Sequence, residues 1–118
     1  MVNRHEITKE QALSAVKNGE FGSEVIASKD RVVVIMTQDW CPQWHNMQGW
    51  VYKLPVEEDI DVHELVYNNK DFSEEFMHFK ESQLNNHNIP YLRYYKDGKL
   101  IKETNYVSRE EFQNILKG

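Results

Sequence analysis

The run Val32-Val33-Val34-Ile35-Met36 places the strongest constraint on how this chain folds. Side chains branched at Cβ are restricted in a helix and pack well on a pleated surface, so the run reads as a strand. A strand sends alternate side chains to opposite faces. With no polar alternation, both faces must be covered, as in a central strand lying between two helical layers. The covering helices are legible nearby. Thr8 and Gln11 form a capping-box pair ahead of the apolar stripe Ala12, Leu13, Ala15 and Val16, and Asn18-Gly19 stops the helix. A second short helical piece spans Ser23 to Ser28 and carries Val25 and Ile26.

Beyond the central strand, Pro42 to Leu54 suits a helix whose first position is a proline, where the missing N–H costs nothing; Pro55 closes it. The acidic stretch Glu57-Glu58-Asp59-Ile60-Asp61 reads as a solvated loop, followed by a strand over Val62 to Tyr67. Asp71 and Glu74 have capping-box spacing, ahead of a helix that buries Phe72, Phe76, Phe79 and Leu84. Asp97-Gly98, flanked by Tyr91–Tyr95 and Lys99–Glu103, is a hairpin turn. Ser108 and Glu111 cap a last helix burying Phe112, Ile115 and Leu116. The order helix, strand, helix, strand, helix, hairpin, helix predicts an α/β fold with a central mixed sheet.

Composition narrows function. With 118 residues, the chain is one domain in size. No segment approaches the ~18 consecutive apolar residues of a membrane span, so no membrane partner is expected. Nor do the first thirty residues have the basic-then-apolar order of a secretory signal, and a cytoplasmic location is expected. The net charge of -5 and the absence of a basic stripe argue against nucleic acid. One cysteine excludes an internal disulfide and a cysteine-based zinc site. His5, His63, His78 and His87 show no i, i+4 pairing, and the chain is expected to hold no metal.

That cysteine, Cys41, lies where the central strand passes through Gln38-Asp39-Trp40 into the helix opened by Pro42. Unpaired N–H groups and the positive end of a helix dipole favour a thiolate there, and the thiolate is the reactive form. His45 follows one turn later on the same face, where it could lower the thiol pKa or act as a base. Asp39 would raise that pKa, subject to solvent screening.

In these residues the chain resembles the thioredoxin family. The resemblance rests on the apolar strand entering Trp40-Cys41, on the Ile89-Pro90 pair, and on the spacing from Pro90 through Tyr91 to Gly98. It covers residues 21–118 and implies a thioredoxin-like domain, with residues 1–20 as an additional helical extension packed on it. It also implies that Pro90 is cis, and that the backbone beside it binds an extended substrate segment. The departures are specific. Trp44 replaces the family's second cysteine, Ile35 its buried acid, and Gly49 a helix-kinking proline; Tyr106 falls near a glycine of the substrate groove. Dithiol reduction is thereby ruled out as an expectation.

Two readings follow. In the first, Cys41 performs monothiol thiol–disulfide exchange, needing no bound cofactor but an external small thiol such as glutathione as co-substrate. Trp40, Pro42, Trp44, Ile89, Pro90 and Tyr91 then form the docking surface for a protein partner of a monomeric chain. In the second, the groove is a non-catalytic binding module. Trp44 either packs beneath the site or lies exposed in that surface. A thiol sensor at Cys41 is a third, weaker reading.

Overall fold

The computed structural model describes residues 1–118. Its elements, in chain order, are β1 (Val2–Glu6), α1 (Lys9–Asn18), α2 (Ser23–Ile26), β2 (Arg31–Thr37), α3 (Pro42–Val51), β3 (Ile60–Val66), α4 (Ser73–Ser82), β4 (Tyr91–Lys96), β5 (Lys99–Thr104) and α5 (Arg109–Lys117). The strands form one mixed sheet in the order β1-β3-β2-β4-β5. The strands β1, β3 and β2 run parallel, β4 is antiparallel to β2, and β5 is antiparallel to β4.

Every residue of β2 is buried, as the unbroken apolar run requires. Its side chains divide by alternation. Val32, Val34 and Met36 join Ala12, Ala15, Val25, Phe76 and Phe79 on one face; Val33 and Ile35 join Cys41, Trp44, Met47 and Phe112 on the other. The helices α1, α2 and α4 thus cover one face and α3 and α5 the other. The predicted α/β architecture is the observed one.

Local signals acted where the chain could satisfy them locally. Thr8 Oγ1 accepts from Gln11 N, Gln11 Oε1 accepts from Thr8 N, and Gly19 ends α1 at φ 83°. The β4–β5 turn puts Asp97 at φ 51° and Gly98 at φ 77°, both in the left-handed region that suits a two-residue hairpin. Ser108 Oγ accepts from Glu111 N at the start of α5.

The structure departs from the sequence reading in three places. Residues 2–6 form an edge strand, β1, that their polar sequence conceals: an edge strand needs apolar residues only where it meets the core, and His5 and Glu6 are exposed. Ile60 and Asp61 belong to β3 rather than to an acidic loop. Asp61 is buried there because Asn3 and His5 of β1 provide hydrogen-bond and ion-pair partners. The predicted cap at Asp71 does not form: α4 begins after Phe72 without a side-chain cap, and Asp71 instead pairs with Lys9 Nζ at 2.7 Å, joining α4 to α1.

A buried charge also ties the layers together. Arg93 of β4 donates to Glu20 Oε2 at 2.6 Å, Tyr95 OH at 2.8 Å and Tyr91 OH at 2.9 Å. These charge-assisted bonds anchor the α1–α2 connection to the sheet.

Phe76 sits at the centre of the aromatic cluster formed with Phe21, Tyr67 and Phe79, with ring centroids 5.3–6.4 Å away. Replacing it with alanine is expected to cost about 3–5 kcal/mol, a large share of a small domain's stability. Urea unfolding would show a lower midpoint at unchanged slope; a midpoint within experimental error of wild type would contradict this assignment.

Candidate functional site

The site is built where β2 ends. Thr37 is the last residue of β2, and Gln38, Asp39 and Trp40 carry the chain to Cys41, the N-cap residue of α3. This connection is closely held. Cys41 N donates to Gln38 O at 3.2 Å, and Trp40 Nε1 donates to Gln38 Oε1 at 2.5 Å. Asp39 N donates to Asn68 Oδ1 at 2.9 Å, while Asn68 Nδ2 and Asn69 Nδ2 donate to the Asp39 carboxylate. The acid beside the cysteine is therefore already partnered by the β3–α4 loop.

Pro42 opens α3 and has no N–H, while His45 N donates to Cys41 O at 3.1 Å. That leaves the N–H groups of Gln43 and Trp44, at the second and third helical positions, without a partner. These are the donors that an N-cap side chain ordinarily satisfies. Cys41 itself is buried, 3% exposed, and packs with Trp44 and Ile35 in the core of that face.

The Ile89–Pro90 peptide bond is cis. Pro90 leads directly into β4, which is antiparallel to β2, so residues 89 and 90 lie at the same end of the sheet as Cys41. The turn before it is pinned from two sides. Lys80 Nζ, on a residue 1% exposed, donates to Asn86 O, Asn86 Oδ1 and Asn88 O at 2.8–3.3 Å. Asn105 Nδ2 donates to Asn88 O at 3.2 Å and Pro90 O at 3.1 Å. Between these anchored residues, neither the N–H nor the C=O of Ile89 makes a hydrogen bond.

The predicted site residues separate into two groups. Trp40, 63% exposed, is the most solvent-accessible of the chain's tryptophans, Pro42 is exposed and Ile89 half-buried. Trp44, Pro90 and Tyr91 are buried rather than part of an exposed docking surface: Trp44, left open between surface and core by the sequence, packs in the cluster that holds Met47 and Leu92, Pro90 is buried at the head of β4, and the Tyr91 hydroxyl donates to Glu103 and accepts from Arg93. Helical spacing explains Trp44, since it lies on the stripe with Met47 and Val51 that faces the sheet. His45 is exposed and its Nε2–H donates to Asp39 O, so its ring is engaged by the loop.

Sequence reading missed the residues that hold the site. No sequence signal singles out Lys80 or Asn105, and only the folded chain shows their amine and amide among backbone carbonyls. Glu64, the β3 neighbour of Ile35 in register, is a buried carboxylate on the face that carries Cys41. It is committed elsewhere, accepting from Arg4 at 2.7 and 3.0 Å and from Tyr52 OH at 2.5 Å. The histidines without helical pairing also meet through the sheet. His5 and His63 are register partners on β1 and β3, stacked at 4.7 Å, with Asp61 Oδ1 3.0 Å from His5 Nε2. Burial and neighbouring His5 push His63 down to about 4.

No protein-family model and no curated protein sequence matches this chain. Solved structures do. Thioredoxin O2 from Arabidopsis thaliana, in the oxidized state, superposes with a TM-score of 0.70 at 15% identity, covering 98% of this chain and 92% of that one. Thioredoxin f2 from Chlamydomonas reinhardtii gives 0.68 at 15% identity, covering 98% and 94%. The long form of thioredoxin F from spinach chloroplast gives 0.65 at 21% identity, covering 98% and 84%. The fold is thioredoxin-like. No helix is long and apolar enough to cross a membrane.

Burial lowers the Lys80 ammonium from its ordinary 10.5 to about 8. Between those values the unfolded chain binds the proton that the folded chain has released, so this group makes folding more favourable as pH rises from about 8 to 10.5. Lys80→Met is expected to destabilise by about 1–3 kcal/mol at neutral pH, because Asn86 and Asn88 carbonyls lose their donor. Its cost should grow by up to ~3 kcal/mol across that alkaline window. Denaturant unfolding of both proteins at several pH values checks this; a cost independent of pH would contradict it.

Proposed function

We propose that the chain carries out monothiol thiol–disulfide exchange with Cys41 as the nucleophile. The observation that carries this reading is the pair of free N–H groups of Gln43 and Trp44 at the start of α3, in the first turn after the N-cap residue Cys41, whose thiol accepts from neither. They offer hydrogen bonds to a thiolate that a neutral thiol accepts only weakly. The free N–H and C=O of Ile89 support the reading from the substrate side: an extended segment can pair with them as an added strand. Trp40 and Pro42 flank that path with exposed apolar surface, and Tyr106, 41% exposed and tethered through its hydroxyl to Asn46 Oδ1 at 3.0 Å, adds a further aromatic beside α3.

In the first step the Cys41 thiolate attacks a mixed disulfide between a protein or peptide and a small thiol, such as glutathione. A bond forms between Cys41 and the sulfur of the small thiol. The disulfide of the substrate breaks, and the protein thiolate leaves and takes up a proton from solvent. In the second step the thiolate of another small-thiol molecule attacks the adduct, regenerating Cys41 and releasing the oxidised small-thiol dimer. No step needs a second cysteine. Trp44 fills the place where a resolving thiol would stand, and Ile35 and the already paired Glu64 leave no free acid for it.

A second reading, a binding module without turnover, is favoured by one observation, the 3% exposure of Cys41. The docking surface is the same; only the thiol is idle.

Excess glutathione with a glutathione–peptide mixed disulfide separates the two. Turnover above background that disappears in Cys41→Ser is expected. Equal rates for both proteins would overturn exchange, and retained partner binding by Cys41→Ser would then identify the groove as a docking site alone.

A further inference from the structure

The edge of the sheet opposite the hairpin carries a second cluster of chemical groups. Parallel pairing of β1 with β3 sets His5 directly beside His63, and Asp61, two residues earlier on β3, projects from the same face. The His5 and His63 rings stack with centroids 4.7 Å apart and planes 20° from parallel. His5 Nε2 lies 3.0 Å from Asp61 Oδ1, and one ligand atom from each of the three residues lies within 4.8 Å of the other two. Because Asp61 and His63 alternate with Ile60 and Val62, which pack with Cys41 and Trp44, the cluster lies on the opposite face of the sheet from the cysteine.

We propose that His5, Asp61 and His63 form a binding site for a divalent transition-metal ion of the zinc class. Two imidazole nitrogens and one carboxylate oxygen make a donor set that zinc accepts, with the fourth position left to water. Tetrahedral geometry at bond lengths of about 2.0–2.1 Å requires ligand atoms about 3.3 Å apart. The His5–Asp61 pair is already near that separation at 3.0 Å. The remaining closure falls to the side-chain torsions of His5, whose side chain is 44% exposed and would turn out of its stack on His63 to bring both imidazole planes onto the ion. Asp61 and His63 are by contrast almost fully buried, 3% and 6% exposed, and so form the rigid half of the site.

Outer contacts fit the same purpose. Ser28 Oγ lies 2.9 Å from His63 Nε2, and Asn3 Nδ2 donates to Asp61 Oδ1 at 3.2 Å. Such second partners orient ligating imidazoles and carboxylates. The half-exposed His5 side chain gives an ion access from solvent. Bound there, the ion would cross-link the N-terminal strand to the sheet and add its binding free energy to stability.

Calorimetric titration of zinc chloride into the chelator-treated, tag-free full chain tests the site, with thermal unfolding as a second readout. Saturable binding of one equivalent and a higher unfolding temperature are expected. Because His5 is half-exposed, His5→Gln should fold normally yet lose both effects, and Cys41→Ser should keep them. Ser28→Ala should weaken binding by about 10–100-fold. No saturable uptake, uptake unchanged in His5→Gln, or uptake lost in Cys41→Ser would each overturn the proposal.

Discussion

The structure depends on the complete burial of β2. A strand with no polar residue between Val32 and Met36 cannot lie at an edge or face water on either side. It must have β3 and β4 as lateral neighbours and a helical layer above and below. Once that is so, the chain leaving the C-terminal end of β2 emerges between the two layers, where a loop and a helix start are the only ways out. Cys41 stands at that exit. The position of Cys41 is thus a consequence of how the central strand is packed, and the neighbouring strand β4 brings residues 89 and 90 to the same end.

Around the cysteine, the groups that ordinary dithiol chemistry would use have been replaced by packing. Trp44 is directed into the core with Met47 and Val51, Ile35 is apolar, and the one buried carboxylate on that face, Glu64, is saturated by Arg4 and Tyr52. What the chain presents there is an N-cap thiol, two free amides at the helix start, an exposed tryptophan, and an unpaired backbone at Ile89. Lys80 and Asn105 hold that backbone by occupying the carbonyls on either side of it, which leaves Ile89 as the residue able to pair outward. The two halves of the molecule are independent in this respect, since the imidazole–carboxylate cluster lies across the sheet and shares no residue with the thiol site.

Several elements were legible because their signals are local. The capping box at Thr8, the left-handed turn at Asp97-Gly98 and the cap at Ser108 each involve residues within four positions of one another, and each forms as read. The failures share a cause as well. Asp71 had the spacing of a cap but found Lys9 across the fold; β1 had no apolar alternation but found an open edge on β3; Trp44 could be assigned to surface or core only by the direction of α3 relative to the sheet.

By itself, the sequence determined that the protein is a layered α/β domain around one doubly covered strand, and that whatever redox chemistry it performs has a single thiol. It also placed that thiol at a helix start. Tertiary structure alone decided that Trp44 and Tyr91 are core, that Lys80 lies buried among carbonyls, and that His5 meets His63 fifty-eight positions away. The physical reason is range. Caps, turns and strand runs are set by torsional preferences and hydrogen bonds a few residues long, whereas strand register and helix facing are fixed by burying apolar area over the whole chain at once.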